Sequence, residues 1–309
     1  MPETRKKLKN TLVLRLLCGI IAATLWTGVF AEIRDNNHIY EVAELGIIKV
    51  ELLAQTSGIA LGKLAVPEFE NKTPDDLYQR TLETQQLLRE LQAKSGLGPL
   101  PEIEPPVEQL RNEDTYDLLE LINKGLDVLL DQQDLERPLG PESLFGKSAN
   151  DNYSRLWYLN RLLVELNSPP DSRSVQTQLA FIKKSLKSIA GYKSLASAGP
   201  ISHRYQYKSF RDVMLVAYQN LHLLGRLQRQ LQVRPIKPAT LETGTQTLIE
   251  LFELTRSTIG HLYRTRIALG LPDPGSVDAA TEDSSVDEIY QTMQEIHAEL
   301  MAMTRSQAL

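Results

Sequence analysis

Cysteine is almost absent. Cys18 is the only one in 309 residues, which excludes an internal disulfide, a cysteine-rich zinc site, an iron–sulfur cluster and c-type haem attachment. Histidine is nearly as scarce. His38, His203, His222, His261 and His297 are never three or four residues apart, so no helix offers two imidazoles to one metal, and the paired Glu-x-x-His units of a di-iron bundle are missing. There is no Gly-x-Ser-x-Gly elbow, no Walker-type phosphate loop and no dinucleotide fingerprint. No segment alternates apolar and polar residues as a half-buried strand does. The expectation is a protein without catalytic residues, metal or cofactor.

What is present begins with an address. Arg5, Lys6, Lys7 and Lys9 precede an apolar run from Leu12 to Ala31 that only Arg15, a few Thr and two Gly interrupt. Val29-Phe30-Ala31 places small residues where a signal peptidase reads them, and the polar stretch Glu32-Ile33-Arg34-Asp35 follows. Residues 1–31 therefore read as an export signal cleaved after Ala31, with a periplasmic destination. An uncleaved inner-membrane anchor, its Arg15 reaching back to the interface, is the alternative. Cleavage would remove the lone thiol with the signal.

Hydrophobic residues make up 42% of the chain, enough for a globular core. Four helix starts share one pattern, a Ser or Thr with an acid three residues on: Thr73 and Asp76, Ser148 and Asp151, Ser209 and Asp212, Ser285 and Glu288. Each is a capping box, in which the hydroxyl accepts from the backbone N–H at the acid and the acid reaches back to the cap. Downstream, Leu88, Leu163, Leu224 and Leu300 keep register, as do Leu91, Leu166, Leu227 and Met303, which argues internal duplication. The intervals between successive starts are too long and too uneven for tetratricopeptide-type units.

Apolar residues at steps of four and three, such as Val175, Leu179, Ile182, Leu186 and Ile189, predict helices. Further helices are expected at about Ile39–Gln55, Thr115–Gln132, Ser172–Tyr192 and Thr240–Leu269. The reading for residues 32–309 is all-α, with about eight helices as stacked antiparallel hairpins or one large bundle. Two sub-bundles would divide near 137–148.

Charge is segregated along the chain. From Ala180 to Lys237 there are eleven Lys or Arg and one acid, Asp212, whereas residues 32–145 carry ten bases and twenty-three acids. Lys183, Lys184 and Lys187 project opposite the apolar stripe of their helix, and Lys193, Arg204, Lys208 and Arg211 follow among Tyr192, Tyr205 and Tyr207. These seven cations are the candidate contact for an anionic partner: an acidic protein face, an anionic polymer or lipid head groups. An export signal and an acidic total argue against nucleic acid. The other reading is that they solvate one surface or pair with acids of the same chain. Gln85, Asn160 and His297 take equivalent places in three of the repeated helices and form a candidate polar layer, or else sit at the water boundary.

The function expected is a non-catalytic, exported scaffold or adaptor that binds another envelope protein, or itself, through charged faces. A small-molecule or anion-binding sensor domain is the alternative, and an enzyme acting on a cell-wall polymer ranks behind both.

Overall fold

In a computed structural model, residues 34–305 are described except for 63, 99, 102–105, 107–108, 143, 168–169, 236–246, 273 and 276. The export signal expected over residues 1–31 lies outside the described residues. Among those described there are eight helices and no strand: α1 (Asn36–Thr56), α2 (Pro74–Lys94), α3 (Asn112–Gln132), α4 (Ala149–Asn167), α5 (Ser172–Lys193), α6 (Phe210–Gln230), α7 (Leu248–Ala268) and α8 (Val286–Arg305). None is long and apolar enough to cross a membrane.

All four expected capping boxes form. Asp76, Asp151, Asp212 and Glu288 each accept from the backbone N–H of the cap at 2.7–2.9 Å, and the cap hydroxyl accepts in return from their N–H. These bonds hold the Asp151, Asp212 and Glu288 carboxyls below the usual carboxylate range. A fifth box joins Thr247 and Glu250 at the start of α7, so that helix begins at Leu248, later than the Thr240 expected from apolar spacing. The register leucines are core: Leu88, Leu163, Leu224 and Leu300 are all buried.

The helices pack as two sets of four. In the first, α1 lies beside α3 and α4, and α2 beside the same two; in the second, α5 lies beside α7 and α8, and α6 beside the same two. Consecutive helices touch in only two cases, α2 with α3 and α6 with α7. The long connections at 57–73, 133–148 and 194–209 let the chain cross each set diagonally, so stacked hairpins do not describe it. The break between sets falls at 168–171, because α4 packs on α1 and α2; residues 137–148, the division expected from sequence, lie inside the first set. The sets meet through α2 and α7.

The second set repeats the first. One constant interval of chain separates the caps Asp35 and Asp171, Thr73 and Ser209, and Arg111 and Thr247, and the interval from Ser148 to Ser285 is longer by a single position. Details recur at the same interval. Lys72 sits over the Tyr153 ring at 4.2 Å and Lys208 over Tyr290 at 4.9 Å. Each ring meets another edge-on, Phe69 at 4.8 Å and Tyr205 at 5.0 Å. Gln92 Nε2 donates to Gly125 O and Gln228 Nε2 to His261 O, both at 3.2 Å. Left-handed backbone recurs as well, at Asn71 and Tyr207 (φ 55° and 59°) and at Gly96 and Gln232 (73° and 60°). Conserving a strained, non-glycine conformation such as that of Tyr207 marks copied architecture.

Candidate functional site

At the junction of the two sets lies a partly open cavity of about 550 Å³. Residues of α2 form one wall, α5 and α7 the opposite one, and the stretch 277–280 closes one side. Leu87, Val164, Phe181, Phe252, Ile259 and Val277 make the lining mainly apolar. The volume is in the range of small-molecule sites, which bury most of a ligand against apolar side chains with a few placed polar groups.

Some of those polar groups come from the contact of α2 with α7, and others, Asp171, Arg173, Ser174, Thr177 and Gln178, from α5 and its cap. Arg256, whose side chain is 4% exposed, donates to both Glu90 oxygens at 3.0 and 2.8 Å. The planar fork meets the carboxylate in the bidentate geometry that strengthens such pairs. Gln178 presents its oxygen to Arg256 Nη2 and its nitrogen to Phe252 O, each at 3.2 Å. Arg89 Nη1 donates to the Tyr263 hydroxyl at 3.0 Å. Gln86 also lines the cavity, and neither its Nε2 nor its Oε1 has a hydrogen-bond partner. The helices approach closely at Gly260: a Cβ there would lie 2.5 Å from Gln79 Nε2 and 3.3 Å from Glu83 Cγ, so a larger residue would make the Gln79 side chain shift.

A second, more open groove of about 490 Å³ adjoins the cavity, and the two share Thr177 and Ala280. Thr177 Oγ1 accepts from Ala280 N at 3.0 Å and so pins the stretch between them. Lys183, Lys184 and Lys187 all line this groove, together with Asp278. Of the seven cations singled out from sequence, these three are brought together.

The other four are placed elsewhere. Lys193 lies by the exposed Tyr192 ring, Lys208 is stacked over Tyr205 and Tyr290, and Arg204 and Arg211 are exposed. Part of the basic charge is met within the chain. Lys183 donates to Glu295 of α8.

The polar layer expected from Gln85, Asn160 and His297 does not form, because the three belong to different sets. Asn160 Nδ2 donates to Thr84 Oγ1 at 3.2 Å in the first, while His297 Nδ1 is 3.0 Å from Asn220 Oδ1 in the second. Asn220 uses its own amide nitrogen on Met293 O, so its oxygen accepts, and His297 carries its proton on Nδ1. Burial pushes the His297 imidazole down, favouring the neutral ring. Gln85 is buried with its Nε2 unpartnered. None of the three lines the cavity.

The aromatic run Tyr153, Trp157 and Tyr158 packs around Phe69 and the first core. Among the described residues no group of three or more His, Cys, Asp or Glu is placed to hold a metal ion. Compared with family models, curated proteins and solved structures, the chain matches none.

The residues that matter most at the junction, Gln86, Phe181, Phe252, Arg256 and Ile259, carry no local motif. Their signal is tertiary: helices far apart in sequence supply them.

Proposed function

We propose that the protein is a non-catalytic binding protein of the cell envelope that holds an amphipathic anion where its two four-helix sets meet. The apolar body of the ligand occupies the cavity, and its charged end reaches Lys183, Lys184 and Lys187. The observation that carries this reading is the adjacency of the two spaces: an apolar cavity of about 550 Å³ beside a groove lined by three lysines, with Thr177 and Ala280 common to both. The unpartnered Gln86 amide adds to it, since a buried donor and acceptor left unmet cost stability that a ligand can recover. Envelope location rests on the signal-like residues 1–31.

Anilinonaphthalenesulfonate, an aryl anion, is a direct probe. Saturable fluorescence with the native protein is expected, along with a rise in melting temperature, because a ligand of the folded state stabilises it by mass action. Ala93→Trp, which fills the cavity from an exposed position on α2, should abolish both signals. Lys184→Glu with Lys187→Glu should weaken binding roughly tenfold, as befits loss of about 1.4 kcal/mol. Binding unchanged in both variants would remove the basis for this assignment.

A second reading is an adaptor that docks an acidic envelope protein along the connection from α5 to α6, which carries Lys193, Arg204 and Arg211. It is favoured by the exposure of Tyr192 (57%) and Tyr207 (95%) beside those cations, an amphipathic mix suited to an interface. Arg204→Glu with Arg211→Glu should then abolish salt-sensitive capture of one defined partner and leave the sulfonate probe unaffected.

A further inference from the structure

The internal junction joins one face of the first set, on α2, to a different face of the second set, on α7. Because the sets are copies, the counterparts of both faces exist again, on α6 in the second set and on α3 in the first. Neither α3 nor α6 meets a helix of the other set there. The junction is heterologous, and such a contact between identical units has no built-in stop.

At its centre, Glu90 on α2 pairs with Arg256 on α7. One repeat interval after Glu90 stands Arg226, and one interval before Arg256 stands Glu120. Both signs are reversed, so the free ends remain complementary to each other. Arg226 is exposed and Glu120 half-buried, and neither has an ion-pair partner among the described residues. Two of the large apolar side chains left in water are on the same helices, Leu215 (51% exposed) on α6 and Val128 (46%) on α3.

We infer that the protein associates with further copies of itself head to tail, the α6 face of one copy seating on the α3 face of the next with Arg226 against Glu120. Lys124 stands where Gly260 permits close approach in the internal junction. The contact between copies is therefore wider than the internal one, weak, and dependent on charge attraction that salt screens.

Sedimentation velocity of the purified full chain tests this. At about 20 mM salt the average sedimentation coefficient should rise with protein concentration over roughly 1–100 μM, and at about 500 mM salt it should return to the monomer value. Arg226→Glu and Glu120→Arg should each leave a monomer at low salt, while the chain carrying both substitutions should associate again, its two ends once more opposite in sign. A mixture of the two single variants should associate again in alternation, since both contacts between unlike copies set opposite charges against each other while like copies repel. Circular dichroism should report the same helicity for every variant. A wild type monomeric at low salt, association untouched by the single changes, or a folded double variant that stays monomeric would each overturn the inference. None of these results depends on the cavity or its ligand.

Discussion

The two four-helix sets follow one plan and carry opposite charge. Residues 34–167 hold 13 Lys or Arg against 24 Asp or Glu, and residues 171–305 hold 16 against 13. What the sets keep is what fixes backbone: caps at matching positions, buried leucines, the Gln92 and Gln228 bonds between helices, and the left-handed turns. Exposed charge is free to diverge because single surface ion pairs contribute little to stability. Buried polar contacts diverge in pairs, Thr84 with Asn160 becoming Asn220 with His297, since changing one member alone leaves the other unmet.

The largest expected difference between the sets is a buried ion pair found in the first. Lys49, 3% exposed, places Nζ 2.6 Å from Asp127 and 3.2 Å from Asn123 O; Ser185 and Tyr263 stand at the matching places in the second. Asp127→Ala should cost about 3 kcal/mol in urea denaturation, because it strands a buried ammonium. Ser185→Ala, removing a buried hydroxyl without a partner, should cost close to nothing. Equal losses would mean the sets are not held by different polar interiors.

Next comes the acid response of the second set between pH 6.5 and 5. Burial, with the Arg264 guanidinium nearby, pushes His261 down to about 3, and the first set has Gly125 there. An unfolded chain takes up this proton near pH 6.5 and the folded one does not, so stability is full above that pH and falls as pH drops toward 3. The slope is about 1.4 kcal/mol per pH unit at its limit, or roughly 2 kcal/mol between pH 6.5 and 5. His261→Gln should flatten the stability profile over that interval. An identical slope in the variant would assign the acid response to other groups.

Caps should behave alike in both sets. Thr73→Ala and Ser209→Ala each remove a hydroxyl that accepts from the helix N–H, and about 1 kcal/mol should be lost in each case. A two-fold disparity in thermal unfolding would break the equivalence drawn here. The smallest effect is expected from Lys187→Glu, whose side chain is exposed: stability should stay within about 0.5 kcal/mol of wild type while sulfonate binding weakens.

Much of the fold is legible from local rules. Helix-period spacing and Ser or Thr caps with an acid three residues on predict eight helices and place four of their starts to the residue. The duplication is legible too, in a form easy to misread: successive starts are unevenly spaced, yet Thr73 to Ser209 and Ser148 to Ser285 span almost the same length of chain. The unit is a set of four helices, and the capped helices are its second and fourth members. Which helices touch is not local, since it depends on how long connections cross a bundle, and so the division at 168–171 and the cavity could not be read from periodicity. The three groove lysines show in the sequence as a charge cluster. Arg256 does not, because its importance comes from Glu90, 166 residues away.

Native mass spectrometry of the protein purified from its own cells under non-denaturing conditions tests the central claim most directly. A small anionic amphiphile should ride with the wild-type chain and be missing from the folded Ala93→Trp variant. A bare wild-type chain, or the same added mass on both proteins, would contradict a ligand site at the junction of the two sets.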